Sequence, residues 1–320
     1  MYQASAFAVM KSNPITSKSA ALFTGAPPRP PRLCPTPRHL RPPPLPHRSF
    51  HLSSRFVKAR DVKASYGETE VADDLNEEAC ELVNGAELTI GEGDAAVNAH
   101  LFKAVKNNNG TGIILLSDIF GFEDSFTRDF AYRVACNGFN VLVPDLFRGD
   151  PWAREKPREL FGEWLALQDP AGVAKVIDIS TKWLADELVA AGISKKLGLI
   201  GFCFGGARVV EVLAGDETSR FATGVSFYGT RMDTSIAATV KVPILFVAGD
   251  EDPLCPSDTL RKFEEVIGRG SKAVIFNGRG HGFAHRPETP EDDADAEQAF
   301  SIMRNWFYEK LAVGEEVPTS

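Results

Sequence analysis

Aspartate and glutamate are missing from the first 60 of the 320 residues, which instead hold ten Lys or Arg and eleven of the 21 prolines. Such a segment has too little apolar surface to offset chain entropy, and its prolines interrupt any helix. It also lacks an apolar run of secretory or membrane-spanning length. A basic, Ser- and Pro-rich, acid-free leader of this kind is expected to be a disordered organelle transit peptide over residues 1–60. Val57-Lys58-Ala59-Arg60 and Val62-Lys63-Ala64-Ser65 supply processing contexts. The expected address is the chloroplast stroma, with the mitochondrial matrix as the alternative. A basic, Pro-rich tail that binds partners is the other reading of the same composition.

Basic residues are scarce in the remainder, where 25 Lys or Arg face 43 Asp or Glu, a formal charge of −18. Phosphate contacts need clustered cations, so nucleic acid is not an expected partner. Nor is a membrane. The five cysteines, Cys34, Cys80, Cys136, Cys203 and Cys255, form no CxxC pair and no metal-ligand spacing. This excludes a disulfide framework and a zinc site from the expectation. No metal and no cofactor are expected, and the chain is expected to be a monomer or weak dimer. Histidine is rare too: beyond residue 60 only His100, His281 and His285 remain.

What is present is an alternation. Residues 61–85 read as an acidic linker with a short helix at 73–82, and residues 314–320 as a disordered tail. Between them short apolar runs fall at 87–90, 97–104, 112–116, 140–143, 197–200, 224–228, 243–248 and 273–276. From the third onward they are largely non-alternating and rich in Ile, Leu and Val, as in strands buried on both faces of a parallel sheet. Helical patterns fall at 125–136, 158–167, 171–190, 207–214, 256–267 and 291–311. The expected fold is α/β, a doubly wound, mostly parallel sheet of about eight strands with helices on both faces, over residues 86–313.

Gly201-Phe202-Cys203-Phe204-Gly205-Gly206 joins one of these runs directly to a helix. A glycine-flanked residue between strand and helix is the sequence form of a nucleophile elbow, with cysteine where serine is usual. The turn is expected to push the Cys203 side chain into the open. At a helix start a thiolate is favoured over a thiol. A small buried cysteine in a tight turn is the bland alternative. A cysteine nucleophile needs a base and a group to orient that base. His281 follows the last apolar run and precedes the final helix, whereas His100 lies within an early run and is expected to be structural. The acid should come between them, after the run 243–248. Asp252, three residues past Gly249, is favoured because it can turn back toward the strand end, with Asp250 as the alternative. The order Cys203, Asp252, His281 puts all three on loops at the strand C-termini, where ligands of open α/β sheets bind. The backbone N–H groups of Phe204 and of Ile119, in the loop after the third run, would form an oxyanion hole.

These stretches, together with Asp118-Ile119-Phe120-Gly121, Pro144-Asp145-Leu146-Phe147, Phe227-Tyr228-Gly229, the 249–256 loop and Gly280-His281-Gly282-Phe283, resemble the dienelactone hydrolase (carboxymethylenebutenolidase) family from about residue 97 to residue 311. The resemblance implies an α/β-hydrolase fold, and an enzyme cleaving a small-molecule ester or lactone through a thioester. It implies Cys203 as nucleophile, Asp252 as acid, His281 as base, and Ile119 and Phe204 as oxyanion donors. Two departures stand out. Asp118 occupies the place of a glutamate that holds the resting thiol in bacterial members, one methylene shorter. His285 stands where those members carry a carboxylate-gripping arginine four residues after the histidine, with Arg286 one place later and Arg158 as a second candidate cation. A different lactone or ester from the bacterial one is therefore expected. Two other classes remain open: a receptor that binds without turnover, separable by assaying an excess of p-nitrophenyl acetate, and a thiol sensor with Cys255 as resolving partner, separable by disulfide mapping. Glucanase chemistry would need two opposed carboxylates, and no such pair stands out.

Overall fold

The computed structural model describes residues 83–193 and 196–311. The leader, the helix expected at 73–82 and the tail lie outside these. Strands are β1 (Val83–Ile90), β2 (Val97–Ala104), β3 (Gly112–Leu116), β4 (Asn140–Pro144), β5 (Leu197–Phe202), β6 (Phe221–Phe227), β7 (Ile244–Gly249) and β8 (Lys272–Phe276). Helices are α1 (Ser125–Cys136), α2 (Phe161–Leu167), α3 (Pro170–Ala190), α4 (Phe204–Ala214), α5 (Ser257–Ile267) and α6 (Pro290–Leu311).

One eight-stranded sheet runs β1-β2-β4-β3-β5-β6-β7-β8. β2 is antiparallel to both its neighbours and the rest are parallel. Every residue of β3, β4, β5 and β7 is buried, which is why their apolar runs do not alternate. Alternation survives instead in what each residue meets. Gly198 abuts Phe307 and Leu311 of α6, and Thr223 accepts a 2.7 Å bond from the Trp306 indole of the same helix. Their neighbours turn the other way: Gly112 abuts Leu184 and Leu188 of α3, and Gly224 abuts Leu213 and Val209 of α4. Successive strand residues point to opposite faces, so helices cover both. On the α6 face, Phe130 of α1 meets Phe300 edge-on at 5.2 Å and Arg133 pairs with Glu297 at 2.7 Å.

β6 and α4 each begin three residues before the expected range, at Phe221 and Phe204, and two further segments differ from expectation. β1 begins at Val83, so the last three residues of the expected linker belong to the sheet; pairing along all eight residues of β2 holds a strand whose sequence alone is weakly apolar. The segment 158–167 is a 3-10 turn, Arg158–Leu160, followed by α2. Among the described residues, no helix is long and apolar enough to cross a membrane.

Candidate active site

Cys203 sits between β5 and α4 with φ 52° and ψ −108°, a left-handed conformation that a side-chain-bearing residue rarely adopts. The loop is clamped: Cys203 N–H donates to Phe227 O at 3.0 Å, and its carbonyl accepts from Thr230 N–H at 3.1 Å. The glycines allow the chain to double back. A Cβ on Gly201 would strike the Gly205 carbonyl, and one on Gly205 would strike the carbonyls of Leu116 and Ser117. Backbone of two other elements cannot yield as a flexible side chain can. Gly205→Ala is therefore expected to cost about 2 kcal/mol or more, lowering the thermal midpoint by roughly 5 °C. Calorimetry returning an unchanged midpoint would contradict this packing. Contrary to the expectation of an open side chain, Cys203 is only 3% exposed, and Ser117, Tyr228 and the His281 side chain, which follow β3, β6 and β8, are buried as well.

Asp252, rather than Asp250, faces the histidine. Its Oδ2 lies 2.7 Å from His281 Nδ1, while Oδ1 accepts from Leu254 N–H at 2.8 Å. Asp250 is exposed and accepts from Gly278 N–H at 2.7 Å, serving the loop instead. The acid and histidine loops are sewn together by Glu251 N–H to Arg279 O, and Gly249 passes so close to that carbonyl that no Cβ fits. Both side chains are fully buried. Burial opposes a charge on His281, but the charge of Cys203 and the hydrogen bond that the ring donates to Asp252 outweigh it, raising its pKa to about 10. The other ring nitrogen, Nε2, is buried with no hydrogen-bond partner among the described residues, and Cys203 lies near enough for its charge to act on the ring.

Phe204 is the first residue of α4, so its N–H has no acceptor inside the helix. Ile119 N–H bonds to no backbone carbonyl among the described residues, although the Ile119 carbonyl accepts from Trp152 N–H at 2.8 Å.

The remaining sequence candidates have partners other than those expected. Asp118 is fully buried. Its Oδ1 accepts from Phe120 N–H at 2.9 Å, and its Oδ2 lies 2.8 Å from Arg286 Nε and 3.4 Å from His285 Nε2. Burial pushes its pKa up, but Arg286 and His285 together hold it well below the usual carboxylate range. The carboxylate expected to hold the thiol is thus committed to a guanidinium, which a short side chain reaches from this loop. His285 and Arg286, expected to face substrate, are buried. His285 Nδ1 lies 2.6 Å from the Tyr228 hydroxyl, and burial lowers its pKa, keeping the ring neutral. The adjacent Asp118 assigns its proton to Nε2, which makes Tyr228 the donor. Arg158 is exposed on its 3-10 turn.

Tyr228 is a residue beside the candidate site to which sequence reasoning gave no role. It directly follows β6 at φ 37°, is fully buried, and stands 5.0 Å from the His281 ring and 6.1 Å from the His285 ring. Its one sequence signal was its position in Phe227-Tyr228-Gly229, at a strand end between nucleophile and acid. Cys255 is 1% exposed, and burial pushes its thiol pKa far up, so it lacks the ionised form a resolving cysteine needs. His100 is buried on β2 with Nε2 3.1 Å from Glu123. Among the described residues, no group of His, Cys, Asp and Glu side chains is arranged to hold a metal.

A mostly parallel, two-faced sheet with a strained cysteine elbow and an Asp–His pair at the strand C-termini defines an α/β hydrolase. The chain belongs to the dienelactone hydrolase family, whose profile matches residues 97–311. It is 31% identical over 205 residues to the carboxymethylenebutenolidase homolog of Rattus norvegicus, covering 62% of this chain and 81% of that one. The Homo sapiens homolog is 31% identical over 201 residues, covering 61% and 80%. Among solved structures, a putative dienelactone hydrolase from Klebsiella pneumoniae superposes with a TM-score of 0.59 at 22% identity, covering 71% of this chain and 99% of its own. The dienelactone hydrolase of Anabaena variabilis gives 0.57 at 20% identity, covering 72% and 99%. At these identities the structural likeness speaks for the fold.

Proposed function

We propose that the protein hydrolyses a carboxylic ester or lactone of a small molecule through a thioester on Cys203. The observation that carries this is the 2.7 Å bond between Asp252 and His281 Nδ1, which leaves Nε2 to Cys203. His281 Nε2 takes the Sγ proton, and the sulfur adds to the carbonyl carbon. The resulting oxyanion is held by the N–H groups of Phe204 and Ile119. Collapse of that intermediate breaks the C–O bond, and the departing alkoxide takes the proton from His281. A water molecule, deprotonated by His281, then adds to the thioester. Its collapse releases the carboxylic acid and restores the thiol. Asp252 holds the ring in the tautomer that leaves Nε2 free to accept.

The membership of the family and the names of its relatives support ester or lactone chemistry. Acid quenching during turnover of p-nitrophenyl acetate, followed by peptide mass spectrometry, should find an acetyl group on the peptide carrying Cys203. Turnover with the acetyl group on another residue, or with no adduct under conditions where deacylation limits the rate, would reject the thioester. A receptor would show at most one slow cycle.

A further inference from the structure

Arg286, five residues beyond His281, already has its charge answered. Its Nε donates to Asp118 Oδ2 at 2.8 Å and its Nη2 to Asp124 Oδ2 at 2.7 Å. Arg154 lies 3.4 Å from the other oxygen of Asp124. Two guanidinium groups against two carboxylates leave no net charge. The guanidinium also lies over the rings of Phe120 and Phe126, at 4.8 and 4.9 Å. An arginine grips a carboxylate strongly through two parallel N–H bonds from one edge. Here Nε and Nη2 each already donate to a carboxylate, and Nη1, which any second edge would need, is buried away from solvent. His285 at the neighbouring position is neutral and tied to Tyr228.

This network borders the reacting groups. Asp118 directly precedes Ile119, and Gly205 of the elbow donates to Ser117 O at 3.2 Å. The His285 ring stacks on Phe202, the residue before Cys203, with centroids 4.1 Å apart. Wherever the shared proton sits between Cys203 and His281, Asp252 leaves the triad with one negative charge in excess. Glu123, next to Asp124, has Arg128 at 3.8 Å and His100 at 3.1 Å, and adds no free cation.

We infer that the acyl group accepted by Cys203 is uncharged, a neutral ester or lactone rather than one bearing a free carboxylate. This rests on the hydrolytic reading above. The test compares p-nitrophenyl pentanoate with p-nitrophenyl hydrogen glutarate, whose acyl chains match in length and differ in a terminal carboxylate. The neutral ester should have the higher kcat/KM by about tenfold, the scale of one unscreened charge at several ångströms, and the ratio should shrink as salt is added. Asp124→Asn keeps an oxygen to cap α1 but removes one of the two charges on Arg286, so it should narrow the ratio. Wild-type protein that cleaves the anionic ester as fast or faster overturns the inference, and an unchanged ratio in Asp124→Asn removes the network as its cause. If neither ester is cleaved, it is the hydrolytic reading that fails. The charge inference is then read from alkylation of Cys203, followed peptide by peptide: iodoacetamide should gain on iodoacetate relative to an unstructured cysteine peptide, and the opposite order overturns it.

Discussion

Cys203→Ala should lower kcat/KM on any ester the wild-type protein turns over by roughly 10³-fold or more, because members of a catalytic triad act as a unit and the first one lost removes most of their effect. What remains would come from the oxyanion donors and binding, which the substitution leaves in place. The variant should fold. Alanine removes one small buried group, the clamping bonds at Cys203 are made by its backbone, and the flanking glycines are untouched. The elbow strain is likewise a backbone property, with φ at 52°. A thermal midpoint near that of wild type, with turnover gone, is the expected pair of results. Undiminished turnover in a folded variant would remove Cys203 from the chemistry and leave the elbow as a packing motif.

Asp252→Asn should cost nearly as much, about 10³- to 10⁴-fold in kcat, by the logic that an amide holds the imidazole in the wrong tautomer. It should also move a titration. His281 is raised to about 10 partly by the hydrogen bond and charge of Asp252, so the substitution should bring its pKa down, as followed by NMR of the ring. The sign of the stability effect follows. A histidine raised above its unfolded value of 6.5 contributes stability that is fully present below pH 6.5 and is lost as pH rises through about 10. Urea unfolding at pH 6 and pH 10 should therefore show a larger loss in wild type than in Asp252→Asn. Asp118 has the opposite sign: its depressed pKa contributes stability above the ordinary carboxylate range, lost in strong acid. An Asp252→Asn protein with wild-type turnover and an unmoved His281 titration would show that the 2.7 Å contact orients nothing.

Much of this molecule is written locally. Each of the eight strands carries an apolar run over at least part of its length, and α1 matches its helical pattern residue for residue, capped by Asp124, which accepts from Phe126 and Thr127 N–H. β1 was only half visible because four of its eight residues are exposed and its pairing with β2 supplies what its side chains do not. The helix expected at 158–167 opens as a 3-10 turn before α2, whose Phe161 and Trp164 meet the rings of Trp152 and Phe147, contacts that no local pattern announces.

The elbow, the scarcity of histidine and the loop order named Cys203, Asp252 and His281 from residue types and spacing alone, since chain order and strand ends place them on one rim. Choosing Asp252 over Asp250 could be argued in one dimension, because both lie in a single short loop. The fate of Asp118, Asp124, His285 and Arg286 could not. Arg286 meets Asp118 across 168 residues and Asp124 across 162. Such ion pairs leave no periodicity and no motif, for they arise only when two loops from opposite ends of the domain are folded against each other and buried charges must find partners. Local sequence thus named the candidate nucleophile, acid and base, and packing decided which nearby cations are already paired with carboxylates.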